Sequence, residues 1–285
     1  MGQKDLIHLN ADIVCALNLA TQLKASFRIG GTMKLFSRTI VWLTAVALIV
    51  LSHGQALAET AVGSNMESRV VLALKVDDAK ATATLPDGWK ALTLPKGPFA
   101  GANLLVLFAD RHLGLDPEGK PIAAHNSRYA ALVSYGVSPD VKGAKMFVTQ
   151  TYEVPPVVNV YGKASSASIT RDVQLSGTDD GPRTRSENWT VEAQNGDKLT
   201  LNLSYEQGRF GWSSGEAMPY SATTPDFHRI YRYDQLIELA SSAALDRKLN
   251  GEISFEASGP AMFDGSEEVR AITVIPMYIR NVFLP

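Results

Sequence analysis

Residues 151–173 read TYEVPPVVNVYGKASSASITRDV. Two β-runs are expected here, joined through Tyr161-Gly162-Lys163. The first spans residues 154–161, with Pro155-Pro156 at a strand edge or bulge, because proline has no N–H to give a central ladder. The second, Ser166–Leu175, alternates small and apolar residues. A β-run that turns sharply and resumes as a second β-run belongs to a chain built mainly of strands.

The flanks support that reading. Ser186–Ala193 and Lys198–Tyr205 surround Asn195-Gly196, a pair that accepts the two positive φ values of a type I′ hairpin turn. On the second arm Leu199, Leu201 and Leu203 share one face and Thr200, Asn202 and Ser204 the other, so one side is expected to be buried with Val191. Further strands are expected at Val70–Val76, Asn103–Phe108, Arg128–Val137, Lys145–Tyr152, Glu252–Ala257 and Val269–Tyr278. Asp110–Lys120 turns polar and closes on Asp116-Pro117-Glu118-Gly119. Gln207–Pro225 is expected to be a long irregular loop in which Phe210, Trp212 and Tyr220 cover the mouth of a cavity, with a surface loop whose aromatics pack beneath it as the alternative. One main helix is expected over Asp234–Asn250, with Leu236, Ile237, Ala240, Ala243 and Ala244 as its apolar face and Asn250-Gly251 as its stop. The expected fold class is therefore β-dominated (α+β), a single barrel or sandwich domain over residues 59–285.

The front of the chain reads as a targeting segment. Lys34 and Arg38 precede an apolar run from Ile40 to Leu51, and Ala56-Leu57-Ala58 offers a small-x-small cleavage site. Residues 33–58 are expected to be a signal peptide, with an uncleaved short anchor as the alternative. Met33 is expected to be the initiator and residues 1–32 an extension, or else an unusually long positive region. An exported protein follows, periplasmic or extracellular, with no stable membrane insertion after cleavage. The sequons at Asn188 and Asn202 matter only on a eukaryotic route.

Of 27 Lys and Arg, five precede residue 59; of 29 Asp and Glu, two do. The remaining 22 basic and 27 acidic residues leave the domain mildly acidic, and no basic block offers itself to nucleic acid. The one cysteine, Cys15, lies before Met33, so the domain has no disulfide and must rest on its core. His112, His125 and His228 have no metal-ligand spacing, and neither a metal nor another cofactor is expected. Gly211-Trp212-Ser213-Ser214-Gly215 has the G-x-S-x-G spacing, but it falls in the expected long loop, and nothing in the sequence marks a partner base for a serine nucleophile. Lys163 is the candidate nucleophile: small residues at 164–168 leave room around it, and a desolvated amine can form a Schiff base with a carbonyl. A solvated lysine at a strand end is the alternative.

The order of several pieces resembles the acetoacetate decarboxylase superfamily: Gly101-Ala102-Asn103, Phe108-Ala109-Asp110, Asp116–Lys120, Arg128–Leu132, Asn159–Lys163 and Glu268-Val269-Arg270. The resemblance implies a curved-sheet barrel around a mostly apolar cavity. It also implies decarboxylation through a lysine whose pKa a neighbouring lysine lowers, an effect for which acetoacetate decarboxylase itself is the standard instance. Here Tyr161-Gly162 runs directly into Lys163 without the family's proline or second lysine, Ser165 stands where the nucleophile is usual, and Ala130-Ala131 follow Tyr129 where a carboxylate is expected. Two functions follow. One is an exported protein that binds a small apolar or carboxylate ligand through Arg128, Tyr129, Tyr161, Phe210 and Trp212. The other is a carbon–carbon lyase acting on a β-keto acid through Lys163. A small molecule is the expected partner, and an oligomer is compatible with either.

Overall fold

The computed structural model describes residues 59–123 and 126–285. The expected signal peptide, the extension before it and His125 lie outside the described residues. Thirteen strands follow in chain order: β1 (Thr60–Lys75), β2 (Lys90–Ala91), β3 (Leu104–Leu115), β4 (Ser127–Ser138), β5 (Val141–Glu153), β6 (Ala164–Gly177), β7 (Arg183–Ala193), β8 (Lys198–Glu206), β9 (Gly211–Ala217), β10 (Pro219–Ser221), β11 (Ile230–Ser242), β12 (Gly251–Ser258) and β13 (Glu268–Leu284). The α-helical content of the described residues is the five-residue α1 (Asp78–Thr82), whose first turn Asp77 caps by accepting from the Lys80 N–H at 2.9 Å.

The strands form one sheet in the order β12-β8-β7-β6-β5-β4-β3-β1-β13-β11-β9, with β10 on β5 and β2 on β4. The sheet ends at β12 and β9 and is not closed, so the expected barrel is an open curved sheet. Residues 151–166 are its seam. β5 and β6 pair in parallel over only three residues, Thr151–Glu153 against Ala164–Ser166. Beyond that seam β6, β7, β8 and β12 fold back as a second layer. Leu72, Val106, Phe108 and Leu132 of the first layer meet Trp189, Val191, Leu199, Leu201 and Leu203 of the second in one core, and Phe108 lies 5.6 Å from Trp189 between ring centroids. The 186–205 hairpin stands in the expected register, its three leucines fully buried.

Three expectations are corrected. Residues 154–163 form a loop and not a strand: the two prolines offer no ladder donors, and the chain must turn back to run beside β5. Residues 207–225 hold β9 and β10 in place of a long loop. Residues 234–250, expected as the main helix, form the second half of β11 and a 3-10 turn at Ala243–Leu245. Ile237 and Ala240 do both contact core, as the helical spacing suggested, but from opposite faces of a strand. Pairing on both sides, with β13 and β9, outweighs the local preference of leucine and alanine for helix.

One irregularity decides what faces where. Against β1, β13 advances three residues, from Tyr278 to Ile275, while β1 advances two, from Glu67 to Arg69. The same extra residue recurs against β11, between Leu236 and Glu238. Pro276 sits at this bulge, a place in a central strand where a residue without an N–H is tolerated. Before the bulge, Ile272 and Val274 point into the two-layer core; after it, Tyr278 faces the opposite side with Ile275.

Candidate functional site

That opposite side is concave. Tyr135 on β4 and Tyr233 on β11 are separated by β3, β1 and β13, which in a flat sheet would set them roughly 19 Å apart. Yet the Tyr135 pKa is pushed up by burial and by the Tyr233 phenol. Likewise the Tyr161 hydroxyl, in the β5–β6 loop, hydrogen-bonds the Tyr231 hydroxyl of β11. The sheet therefore curls until β11 approaches the end of β5, and Ser221 of β10 secures that junction by donating to the Tyr161 carbonyl at 2.7 Å.

On this face, alternation and cross-strand register set up a graded surface. One row carries Arg69, Ala109, Tyr129 and Glu153; the next carries Val71, Leu107, Ala131 and Thr151; a third carries Ala73, Leu105, Val133 and Val148. The first row is polar and the third apolar. Leu105, Leu107, Val133, Tyr233 and Ile237 are only half-buried, unlike the sealed leucines of the two-layer core.

The polar end is built around Glu67, which has no exposed surface. Its carboxylate accepts from Arg69 Nε at 2.7 Å, Arg280 Nη2 at 3.0 Å and the Tyr129 hydroxyl at 2.7 Å. Burial alone would raise the Glu67 pKa; the two guanidiniums and the Tyr129 hydroxyl outweigh it and hold the group at about 2. Tyr129, by the same burial and beside that carboxylate, is pushed well above the ordinary phenol value. The arginines are stacked as well as paired: Arg69 lies 3.5 Å over the Tyr278 ring and Arg280 lies 4.1 Å over the Tyr231 ring. Tyr278 in turn stacks on Tyr233 at 5.1 Å.

Two features of this cluster bear on chemistry. Within hydrogen-bonding distance there are two guanidiniums and one carboxylate, an excess of one positive charge. Each guanidinium also keeps its Nη1 free of protein hydrogen bonds among the described residues. Arg69 is engaged through Nε and Nη2, and Arg280 through Nε to Asn65 and Nη2 to Glu67.

Of the residues expected at a site, Tyr129 and Tyr161 join this cluster, linked through Glu67, Arg280 and Tyr231. Arg128 does not: adjacent strand residues point to opposite faces, and it pairs with Asp110 at 3.3 Å beside Arg171 in the two-layer side. There Arg171 and Arg185 bracket the buried Glu187, which also accepts from Trp189 Nε1 at 2.8 Å. Phe210 and Trp212 lie at the β9 edge, 40% and 57% exposed. Lys163 is exposed, two residues beyond Tyr161, and its backbone carbonyl accepts from the Thr151 N–H at 2.8 Å. Sequence reasoning missed Glu67, Arg69, Tyr231, Tyr233, Tyr278 and Arg280. The available signal was charge at positions 67 and 69, in phase with the apolar Val71 of the same strand.

No family model matches the sequence, and no curated protein matches it. Solved structures do. The enduracididine biosynthesis enzyme MppR with HEPES buffer bound is matched at 12% identity and a TM-score of 0.48, over 82% of this chain and 90% of that one. MppR complexed with pyruvate is matched at 11% identity and 0.45, over 81% and 91%. An acetoacetate decarboxylase-like enzyme from Sphingomonas wittichii RW1 is matched at 14% identity and 0.48, over 81% and 94%. These likenesses cover most of each chain at low identity.

Proposed function

We propose that the concave face binds a small carboxylate ligand in an exported, acetoacetate decarboxylase-like protein. The observation that carries the reading is the pair of guanidiniums, Arg69 and Arg280, sharing one carboxylate and each keeping a free Nη1. Charge-assisted hydrogen bonds to a carboxylate would use those donors and balance the excess charge where solvent screens it least.

Calorimetric titration with butyrate tests this. Arg280→Met is the informative variant, because Glu67 keeps Arg69 and Tyr129 as partners when Arg280 is gone. Loss of one charged hydrogen-bonding group of this kind is worth about 1.5–3 kcal/mol, so butyrate affinity should fall roughly 10- to 100-fold. Equal affinity in the variant would remove the carboxylate site.

The lyase alternative draws on a desolvated amine, and Lys163 is exposed. Borohydride added with acetoacetate is therefore expected to leave the intact mass unchanged. A reduced adduct that maps to Lys163 and disappears in Lys163→Ala would establish the lyase instead. Export rests on the Lys34–Ala58 pattern. Protein recovered from its own host should begin near Glu59; cytosolic protein that begins at Met1 would count against export.

A further inference from the structure

A carboxylate accounts for only one end of a ligand. The other end is described by how the concave face changes along its strands. The Arg69 row lies at the polar end. Four residues further along β3 and β4, the facing positions are Leu105 and Val133, followed by Tyr135 and Met146. At about 3.3 Å per residue, four residues span roughly 13 Å. The residues between and opposite, Val71, Leu107, Ala131, Tyr233 and Ile237, are apolar or aromatic, and the larger ones among them are only half-buried. A two- to four-carbon acid would occupy the arginine end and leave this wall wet.

We propose that the ligand is an amphipathic carboxylate, held head-first at Arg69 and Arg280, with an unbranched apolar body laid against Leu107, Leu105 and Val133. This rests on the carboxylate reading given above. With carbon–carbon bonds of about 1.5 Å, an extended chain of roughly eight to ten carbons covers the distance. The half-exposure of Leu105, Leu107 and Val133 is what such a body would relieve: each methylene removed from water adds to affinity, and the rings of Tyr233 and Tyr135 add flat apolar surface. The polar end discriminates in the opposite sense, since an alcohol of equal length cannot balance the guanidinium pair.

The test is a calorimetric series on the full chain with butyrate, hexanoate, octanoate and octanol, repeated on Arg280→Met and Leu107→Gln. Octanoate is expected to bind at least tenfold tighter than butyrate and at least tenfold tighter than octanol. Leu107→Gln should weaken octanoate about tenfold and by more than it weakens butyrate, and Arg280→Met should weaken both acids. If butyrate and octanoate bind equally and both weaken in Arg280→Met, the carboxylate site stands and the apolar body is refuted. If octanol matches octanoate and Arg280→Met changes neither, the head-group reading itself fails. Should Leu107→Gln not fold by circular dichroism, the wild-type chain-length series and the octanol comparison decide the matter alone.

Discussion

Substituting Glu67 by glutamine is expected to cost about 3–5 kcal/mol of folding stability, because it leaves two buried guanidiniums facing each other without their shared carboxylate. Urea unfolding at pH 7 reads this directly. The pH dependence gives a second check with a definite sign. In the folded protein Glu67 ionises at about 2, against 4.5 ordinarily. A carboxyl whose folded pKa lies below its unfolded value stabilises the fold above the unfolded pKa and loses that contribution as pH falls through the folded one. Glu67 should thus contribute fully at pH 5 and above, and lose about 3 kcal/mol between pH 4.5 and 2. The difference between wild type and Glu67→Gln should shrink over that window. A penalty that stays constant from pH 7 to pH 2 would show that shape, and not charge, is what Glu67 supplies.

The second large effect lies on the other side of the sheet. Leu201 is fully buried, with Trp189 and Phe255 as its cross-strand partners on β7 and β12. Leu201→Asp places a carboxylate with no available cation into that core, at a cost of about 4 kcal/mol or more. For a domain of this size each kcal/mol moves the melting temperature by about 2–4 °C, so a fall of about 10 °C or more is expected. Asn202→Asp, one residue on and exposed, is the control and should melt close to wild type. Equal melting temperatures for Leu201→Asp and wild type would mean the hairpin is out of register.

Leu201 and Glu67 also differ in how legible their surroundings were in the sequence. The hairpin that carries Leu201 was readable because its turn, its alternation and its pairing all lie within about twenty residues. The helix expected at 234–250 mistakes a strand whose character comes from partners far away: Ile237 and Ala240 each contact apolar neighbours, and only the pairing with β13 reveals that they do so on opposite faces. The site was half legible for the same reason. Tyr129 and Tyr161 could be picked out through a family resemblance, whereas Glu67 and Arg280 stand 213 residues apart and meet only because β1 lies beside β13. Even with that pairing known, the facing of Tyr278 and Arg280 depends on the extra residue at Pro276, which alternation alone would have turned the other way. Arg128 illustrates the converse: proximity to Tyr129 in sequence guarantees, within a strand, that the two side chains part.

The position of β13 has a consequence for how the domain comes into being. This strand lies between β1 and β11, so during synthesis the long edge of β1 waits for a partner that emerges some two hundred residues later. Pairings of such long range carry a large loop-closure cost before they yield any contact, and sheets of this kind fold slowly. The hairpins β3–β4 and β7–β8 can form early, but the curl that brings Tyr161 to Tyr231 cannot exist until residues 268–284 bridge the two halves. Until then β1 and β11 present open, apolar edges, the kind of surface that holdase chaperones cover. Assembly of the arginine cluster and completion of the sheet are, for this chain, one and the same event.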